Sequence, residues 1–227
     1  MTVTPDRLLR AAGIAAAAAG AIFVAVQINH PPLDVTTVAT TDVVVRDIAK
    51  AVMSVLALAG ITGMYLRQVR QFGALGLVGW LLFSLGYLAM FGVEVVAGFV
   101  LPSLVDTAPG YVEDVLAAAV GGTPTGDIGA MQALLTISGI GYMGGGLVFG
   151  IALYRAGVLA RWAAALLAAG TASTLALSVL PESLNRPFAV PVGIALVGLG
   201  LSLWRDQRHP AAVTTSAQVP AGQPAVR

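Results

Sequence analysis

Six long apolar stretches, separated by short breaks, dominate the pattern of hydrophobic and polar positions along the chain. They lie near residues 8–28, 48–66, 74–101, 130–154, 157–180 and 187–204. Because an α-helix rises 1.5 Å per residue, about 20 apolar residues cross the ~30 Å hydrocarbon core of a bilayer. The breaks carry prolines or arginines: Pro31 and Pro32, residues 67–70, Pro102, residues 155–161, and Pro181 with Pro187. This pattern predicts an all-α polytopic membrane protein, with a bundle of six transmembrane helices within residues 1–206.

The two ends of the chain predict different structures. Arg7 and Arg10 precede the first apolar stretch, an arrangement that is also typical of a secretory signal peptide. No clear small-x-small cleavage site follows the stretch, and its removal would leave five spans with the termini on opposite sides. We therefore interpret it as an uncleaved signal-anchor helix. Residues 207–227 are polar and Pro-rich, which predicts a disordered cytoplasmic tail.

The basic residues predict how the bundle is oriented, because Lys and Arg are retained on the cytoplasmic side of a membrane. With the N-terminus inside, nine of them are cytoplasmic: Arg7, Arg10, Arg67, Arg70, Arg155, Arg161, Arg205, Arg208 and Arg227. Three remain outside, namely Arg46, Lys50 and Arg186. This asymmetry predicts a multi-pass protein of the plasma membrane with both termini cytoplasmic.

Composition excludes several classes of protein. With 57% hydrophobic and 10% charged residues and a mean hydropathy of +0.87, the chain cannot cover the surface of a soluble globule. The 12 basic residues nearly balance the 11 acidic ones, so we expect no nucleic-acid partner. The chain has no cysteine, and its two histidines, His30 and His209, lie far apart in the sequence. We therefore predict no metal site.

The third apolar stretch contains an acidic residue, Glu94, within Phe91-Gly-Val-Glu-Val-Val-Ala-Gly. A charged side chain at the centre of a membrane helix costs about 2.5–3.5 kcal/mol on insertion scales. We therefore expect Glu94 to face the bundle interior and to be protonated or paired, in the second case with a counter-ion such as Arg46 or Lys50. A desolvated, protonated carboxyl is suited to general acid catalysis at neutral pH. The alternative is a structural hydrogen bond between helices.

Aromatic residues precede Glu94 at helical spacing. Steps of three and four residues place on one face Trp80, Phe83, Tyr87, Phe91 and Glu94. Gly98 continues this face and is expected to leave a gap beside the acid. If the face points inward, it offers a proton donor in an apolar pocket walled by aromatic rings, which suits protonation of an alkene. If it points outward, the rings are lipid contacts.

Further polar residues are predicted near the depth of Glu94, at the outer ends of the spans: Gln27, His30, Asp47, Lys50, Asp127, Gln132, Glu182, Asn185 and Arg186. Together they would form a polar mouth over an apolar cavity. Asp47, Asp127 and Glu182 are candidate catalytic relays or a final base for Glu94. Gln27 and His30 join the aromatic residues as candidate substrate-binding residues. The alternatives are ordinary polar helix ends and a local Asp47–Lys50 pair at i and i+3.

Two other segments carry predictions. Residues 111–120 form a short amphipathic pattern with acids in its first turn, which predicts either a lid over the outer mouth or an interfacial connector. Gly139-Ile-Gly141-Tyr-Met-Gly144 matches a dinucleotide fingerprint, but it follows no strand and lies inside an apolar span, so we reject a nucleotide site. Its glycines instead predict close helix packing through Gly141 with Gly145 and Gly146 with Gly150. We also predict that Tyr142 lines a cavity there.

The chain resembles small actinobacterial integral membrane proteins with six spans. The likeness lies in Glu94 on an aromatic helix, in the Gly-rich fourth span and in the turn Arg155-Ala-Gly-Val-Leu-Ala-Arg-Trp162. In size and hydropathy the chain is similar to the membrane-integrated terpenoid cyclases, including the indole sesquiterpenoid type. The resemblance implies a cofactor-free, proton-initiated cyclisation of an isoprenoid. It covers architecture, so no catalytic position is transferred.

Three functional hypotheses remain open. The first is a membrane-embedded acid–base enzyme that cyclises or isomerises an isoprenoid or other lipid-like substrate, with Glu94 as proton donor. The second is a small-molecule or proton-coupled transporter that uses Glu94 as its protonation site. The third is a membrane subunit without chemistry of its own. The sequence has no Asp-rich diphosphate motif, P-loop or Gly-x-Ser-x-Gly, which disfavours diphosphate ionisation and serine hydrolysis. The expected partners are a hydrophobic small molecule and the lipid bilayer, and the sequence leaves the oligomeric state open.

Overall fold

A computed structural model describes residues 3–174 and 185–206 of the chain. These residues form seven α-helices and one π-helical turn, and the described part contains no strand. The elements are α1 (Pro5–Ala25), α2 (Thr41–Val95), the π-turn (Val96–Val100), α3 (Leu101–Leu104), α4 (Pro109–Ala119), α5 (Ala130–Ala156), α6 (Arg161–Ser173) and α7 (Asn185–Asp206).

Four helical segments within the described residues are long and apolar enough to cross a membrane: Pro5–Ala25, Thr41–Leu104, Ala130–Ala156 and Phe188–Asp206. The predicted all-α membrane protein is thereby confirmed. The fifth predicted span, 157–180, corresponds to α6, whose 13 residues extend only about 20 Å. The rest of that span, from residue 175, lies outside the described residues, as does the tail predicted for 207–227.

Helix α2 is two antiparallel arms rather than one rod. Its backbone leaves helical geometry at Gln68 (φ −124°, ψ 15°) and at Gly73 (φ 55°, ψ −155°), and the positive φ favours glycine. The first arm comprises residues 41–67 and the second 74–95. Across the hairpin, the Trp80 indole donates to the Thr62 hydroxyl at 3.3 Å, and the Trp80 and Tyr65 rings stack at 4.9 Å. The break predicted at residues 67–70 is therefore where the chain reverses.

Small residues bring α1 close to both of its neighbours. A Cβ atom built on Gly13 would lie 2.8 Å from the Gly200 carbonyl oxygen, and one on Gly193 would lie 2.9 Å from that of Gly20. The earlier residue of α1, Gly13, contacts the later residue of α7, Gly200, and Gly20 contacts Gly193. The two helices are therefore antiparallel. The first arm of α2 packs on α1 in the same manner, with Gly60 beside Ala16 and Gly63 beside Ala12.

The glycines of α5 serve two interfaces, as predicted. Gly141 and Gly145 face the second arm of α2, and a Cβ atom on Gly141 would lie 2.6 Å from the Gly86 Cα atom. Gly146 and Gly150 face α6, where a Cβ atom on Gly150 would lie 2.7 Å from the Ala168 backbone nitrogen. Because α6 also contacts α7, the helical segments close into a ring.

This antiparallel packing gathers the arginines at one end of the ring. The start of α1, the hairpin reversal, the α5–α6 connection and the end of α7 lie there, and they carry Arg7, Arg10, Arg67, Arg70, Arg155, Arg161 and Arg205. The Arg67 guanidinium binds both carboxylate oxygens of Asp206, which ties the reversal in α2 directly to the end of α7. We call this region the arginine end and the opposite one the α4 end.

At the α4 end, α4 is held by a second apolar cluster. Val112, Val115 and Leu116 are buried there with Leu101 and Ile128. A helix predicted over 111–120 is thereby confirmed as Pro109–Ala119. The acids are not in its first turn, contrary to the prediction, because the helix begins two residues earlier, at Pro109.

A π-helical turn, Val96–Val100, follows α2 directly. The Leu101 N–H donates to the Val96 carbonyl, five residues earlier. Pro102, the next residue, has no N–H to donate to the Gly98 carbonyl and its ring crowds that position. The turn thus widens where proline interrupts the series of backbone hydrogen bonds between residues four apart. Such widened turns occur often at functional sites.

Candidate functional site

A lysine and two carboxylates form a cluster where the two arms of α2 meet near the α4 end. The Lys50 ammonium donates to the Asp47 carboxylate at 2.7 Å and lies 3.6 Å from a carboxylate oxygen of Glu94. Asp47 and Lys50 are on the first arm and Glu94 is on the second. We call these three residues the charged cluster.

The side chains of the charged cluster are largely buried. The side chains of Asp47, Lys50 and Glu94 are 3%, 13% and 14% exposed. A charge buried to this degree needs a partner, because desolvation costs several kcal/mol per ion. Glu94 is therefore paired, one of its two expected states. The i, i+3 pairing of Asp47 with Lys50 is also confirmed, but it is part of a larger group.

Neighbouring residues fix the backbone around the charged cluster. The buried Ser54 hydroxyl donates to the Lys50 carbonyl at 2.9 Å. Gly98, in the π-turn, lies against Asp47, and a Cβ atom built on it would be 3.4 Å from both the Asp47 Cβ and the Ile48 Cγ1 atoms. The space beside Gly98 is therefore about the size of a methyl group, because a Cβ atom there would be in ordinary van der Waals contact with the first arm of α2.

Arg46 connects the charged cluster to the end of α1. Its guanidinium donates to the carbonyl oxygens of Val26 and Ile28 at 3.1 and 2.9 Å and to the Asp42 carboxylate at 3.0 Å. The last carbonyls of a helix have no partner within the helix. Arg46 satisfies such groups just beyond α1 and so joins α1 to the first arm of α2, one residue before Asp47.

The aromatic stripe points inward over only part of its length. The Phe83 and Tyr87 side chains are fully buried, and their rings lie 5.0 Å apart. Phe91 is half-buried, closer to the charged cluster. Trp80 packs on Tyr65, as described above. The inward orientation is therefore observed, but the inner rings contact one another instead of walling a pocket.

Tyr142 belongs to this same aromatic core. Its ring lies 6.0 Å from that of Tyr87, 6.1 Å from Phe83 and 6.3 Å from Phe23. The prediction that Tyr142 lines a cavity made by the glycines is wrong. Gly141 and Gly145 instead let the α2 backbone approach, and the ring fills the centre of the helical ring.

The remaining predicted site residues are dispersed. Asp127 is exposed, and its carboxylate accepts the Gly129 N–H at 2.7 Å, which fixes the turn before α5. Glu182 lies outside the described residues. His30 is half-buried, with its ring within 2.7 Å of the Pro31 carbonyl oxygen. Gln27 is half-buried at the end of α1, beside the carbonyls that Arg46 binds. Of the described candidates, Asp47 joins Glu94 through the Lys50 ammonium that both carboxylates contact.

Lys50 is one of the two counter-ions that the sequence offers for a paired Glu94, the other being Arg46. The sequence does not decide between them, because the contact with Glu94 depends on the register of the hairpin. A reversal at residues 68–73 brings positions 50 and 94 level, in line with the Thr62–Trp80 contact nearer the reversal. Reading the break at 67–70 as a tight hairpin would have paired these charges.

Asp114 of α4 fixes the loop that follows the helix. Its carboxylate accepts the backbone N–H of Thr125 at 2.7 Å, that of Gly126 at 2.9 Å and the Thr125 hydroxyl at 3.0 Å. These bonds, first among them the one from the Thr125 N–H, hold the pKa of Asp114 below its ordinary value. The loop between α4 and α5 is therefore fastened to α4 by an ionised carboxylate.

The apolar cluster under α4 reaches the charged cluster. Val93 and Val96, which flank Glu94 in the sequence, pack against the residues that hold α4. The position of α4 is thus coupled by direct packing to the segment that carries Glu94.

Comparison of the chain with protein-family models, with curated proteins and with solved structures found no match. The functional inference therefore depends on the geometry of the charged cluster.

Proposed function

We propose that the charged cluster is the acid–base centre of a membrane enzyme that cyclises or isomerises an isoprenoid or other lipid-like substrate without a cofactor. The observation that carries the proposal is the sharing of one ammonium, Lys50, by two carboxylates from different helical arms. Buried ionisable groups on membrane helices mark proton relays and substrate sites.

The roles of the residues follow from their positions. Glu94 is the proton donor, since it is the carboxylate at the end of the aromatic stripe and lies farther from the Lys50 ammonium, at 3.6 Å, than Asp47 does. Asp47 holds Lys50 at 2.7 Å and, as the second carboxylate, accepts the final proton. In a cyclisation, Glu94 protonates an alkene carbon, a new carbon–carbon bond forms on the cation, and loss of a proton restores the formula. Phe91 is placed to face the cation.

The six-span arrangement in the plasma membrane is part of this proposal. Its support is the antiparallel order of the helical segments together with the seven arginines at one end, which positive-inside retention places in the cytoplasm. Both termini are then cytoplasmic, and the charged cluster lies toward the outer side. A lipid-like substrate enters from the bilayer near Phe91, and the apolar contacts of α4 control access.

Proton-coupled transport is the second candidate, and one observation favours it. Because Lys50 contacts both arms of α2, protonation of Glu94 removes the charge that attracts the ammonium across the hairpin. Proton binding would thereby loosen the two arms, as transport requires.

The test of the enzyme proposal uses membranes that contain the wild type or Glu94→Gln, incubated with linear prenylated acceptors. The readout is a change in retention at constant mass. We expect turnover to fall by roughly 10²- to 10⁴-fold in Glu94→Gln, the range for loss of a general acid. Glu113→Gln, which removes an exposed acid of α4, is the matched control and should keep full turnover. Full activity of Glu94→Gln would remove Glu94 as donor.

If the wild type consumes no polyene, the enzyme proposal fails and transport is tested next. Proteoliposomes with a pH-sensitive dye inside would then report proton uptake. Uptake by the wild type that is lost in Glu94→Gln supports a carrier. Its absence in both would indicate a membrane subunit without chemistry.

A further inference from the structure

A groove opens between α6 and α7 at the arginine end, far along the bundle from the charged cluster. It has a volume of about 440 Å³ and is lined by Ala160, Trp162, Gly198, Leu201, Ser202, Arg205 and Asp206. The lining combines apolar residues, among them Trp162 and Leu201, with the charged residues Arg205 and Asp206. The groove therefore suits an amphipathic ligand.

The apolar part of the lining is formed by a tryptophan lying on a glycine. The Trp162 ring covers Gly198, so that even a Cβ atom there would be 2.7 Å from the indole Cζ2 atom. Trp162 is nevertheless 59% exposed, and Leu201 is 40% exposed. Tryptophan is enriched at membrane interfaces because its ring accommodates both acyl chains and headgroups. An acyl chain can thus lie along this part of the lining.

The charged part of the lining has an excess of positive charge. Asp206 is neutralised by its two contacts with Arg67, whereas Arg205 is exposed. At the arginine end as a whole, the described residues include seven arginines against Asp6 and Asp206. This charge is complementary to an anionic headgroup, and Arg binds phosphate with two parallel hydrogen bonds.

The first turn of α6 adds donors at the same place. The Ser202 hydroxyl accepts the Ala160 N–H at 3.0 Å, and Ala160, which precedes the helix, caps it with no side chain. The N–H groups that begin a helix point outward and favour an anion. Trp162, the second residue of α6, lines the groove.

We propose that this groove binds the phosphate headgroup of an anionic phospholipid from the cytoplasmic leaflet, with Arg205 on the phosphate and Trp162 beside the acyl chain. Basic grooves between membrane helices on this side of the bilayer recognise such headgroups. The site is independent of the acid–base proposal, because it shares no residue with the charged cluster.

The test uses the purified full-length protein in detergent, titrated with phosphatidylglycerol, with phosphatidylcholine of the same acyl chains, or with inorganic phosphate. Bound lipid is counted by native mass spectrometry. We expect phosphatidylglycerol to be retained over phosphatidylcholine. Arg205→Gln should weaken its retention about fivefold, which corresponds to ~1 kcal/mol for a basic residue at an anionic surface. Trp162→Leu should weaken retention of both lipids.

Arg70→Gln is the matched control, since Arg70 is an exposed arginine of the same end that does not line the groove. It should leave retention within about twofold of the wild type. Equal losses in Arg70→Gln and Arg205→Gln would show diffuse attraction and overturn the site. Equal retention of the two lipids, or displacement of phosphatidylglycerol by inorganic phosphate alone, would also overturn a phospholipid site. Polyene turnover is not measured, so failure here is distinct from failure of the proposed enzyme activity.

Discussion

At the residue scale, the two carboxylates of the charged cluster differ in how closely they contact Lys50. Asp47 holds the ammonium at 2.7 Å and is the most buried of the three, whereas Glu94 lies 3.6 Å away. Loss of Glu94 leaves the Asp47–Lys50 ion pair complete, but loss of Lys50 removes the cation that holds the buried Asp47 carboxylate. Removing one partner of a buried pair is costly because the other charge stays uncompensated.

We therefore expect Lys50→Met to lower the free energy of unfolding by about 3–5 kcal/mol, and Glu94→Gln by much less. Thermal unfolding in detergent, followed by circular dichroism, measures both. The double variant Lys50→Met/Asp47→Asn should recover part of the loss, because the uncompensated carboxylate is gone. A Lys50→Met variant as stable as the wild type would mean that the ammonium does not neutralise Asp47.

Much of this site could be predicted from the sequence, but not which of the two candidate cations, Arg46 or Lys50, contacts Glu94. Glu94 is conspicuous within an apolar stretch, and the spacing of Asp47 and Lys50 indicates a pair. The Lys50–Glu94 contact depends on how tightly the chain reverses between Gln68 and Gly73, which a hydropathy pattern does not specify. The size of the gap at Gly98 could not be predicted for the same reason, since the opposite arm limits it to about a methyl group.

At the element scale, α4 and its loop act as one unit. Apolar contacts hold one side of α4, and the Asp114 carboxylate holds the loop at Thr125 and Gly126. The helix could be predicted from its apolar spacing, but its start at Pro109 and the loop contact could not. The π-turn could not be predicted either. It depends on which carbonyl accepts the Leu101 N–H when the next residue, Pro102, has no N–H.

The lowered pKa of Asp114 sets the pH dependence of this unit. A carboxylate with a lower pKa in the folded than in the unfolded protein stabilises the fold. This stabilisation is fully present when the pH is above the unfolded pKa, and it is lost as the pH falls through the folded pKa. We expect the Thr125 and Gly126 amides to lose protection from hydrogen exchange in that acidic range, below the ordinary value of 3.8. In Asp114→Asn, the same two amides should lose protection from hydrogen exchange at neutral pH as well.

Glu113→Gln provides the comparison for that experiment, since it removes a neighbouring acid without touching the loop bonds. Its exchange should match the wild type at every pH. Equal protection in Asp114→Asn and Glu113→Gln at neutral pH would show that the loop is held by its apolar contacts.

At the scale of the whole molecule, the antiparallel ring supports a definite orientation in the membrane. The four long apolar helices follow from hydropathy, whereas the neighbour of each helix depends on which glycine faces pair. A reporter that is active only outside the cytoplasm tests the orientation. We expect no signal when it is fused after residue 206 and a strong signal when it is inserted at residues 121–122. The reverse result would place the charged cluster on the cytoplasmic side.

The closure of the ring by α1 and α7 also constrains how the protein is made. Gly13 and Gly20 emerge from the ribosome early, but their partners Gly200 and Gly193 follow roughly 180 residues later, which takes about 9–36 s at 5–20 residues per second. During that interval one face of α1 has no helix against it, while the other already has the first arm of α2. Lipid or a membrane chaperone must therefore cover this small-residue face of α1 until synthesis ends.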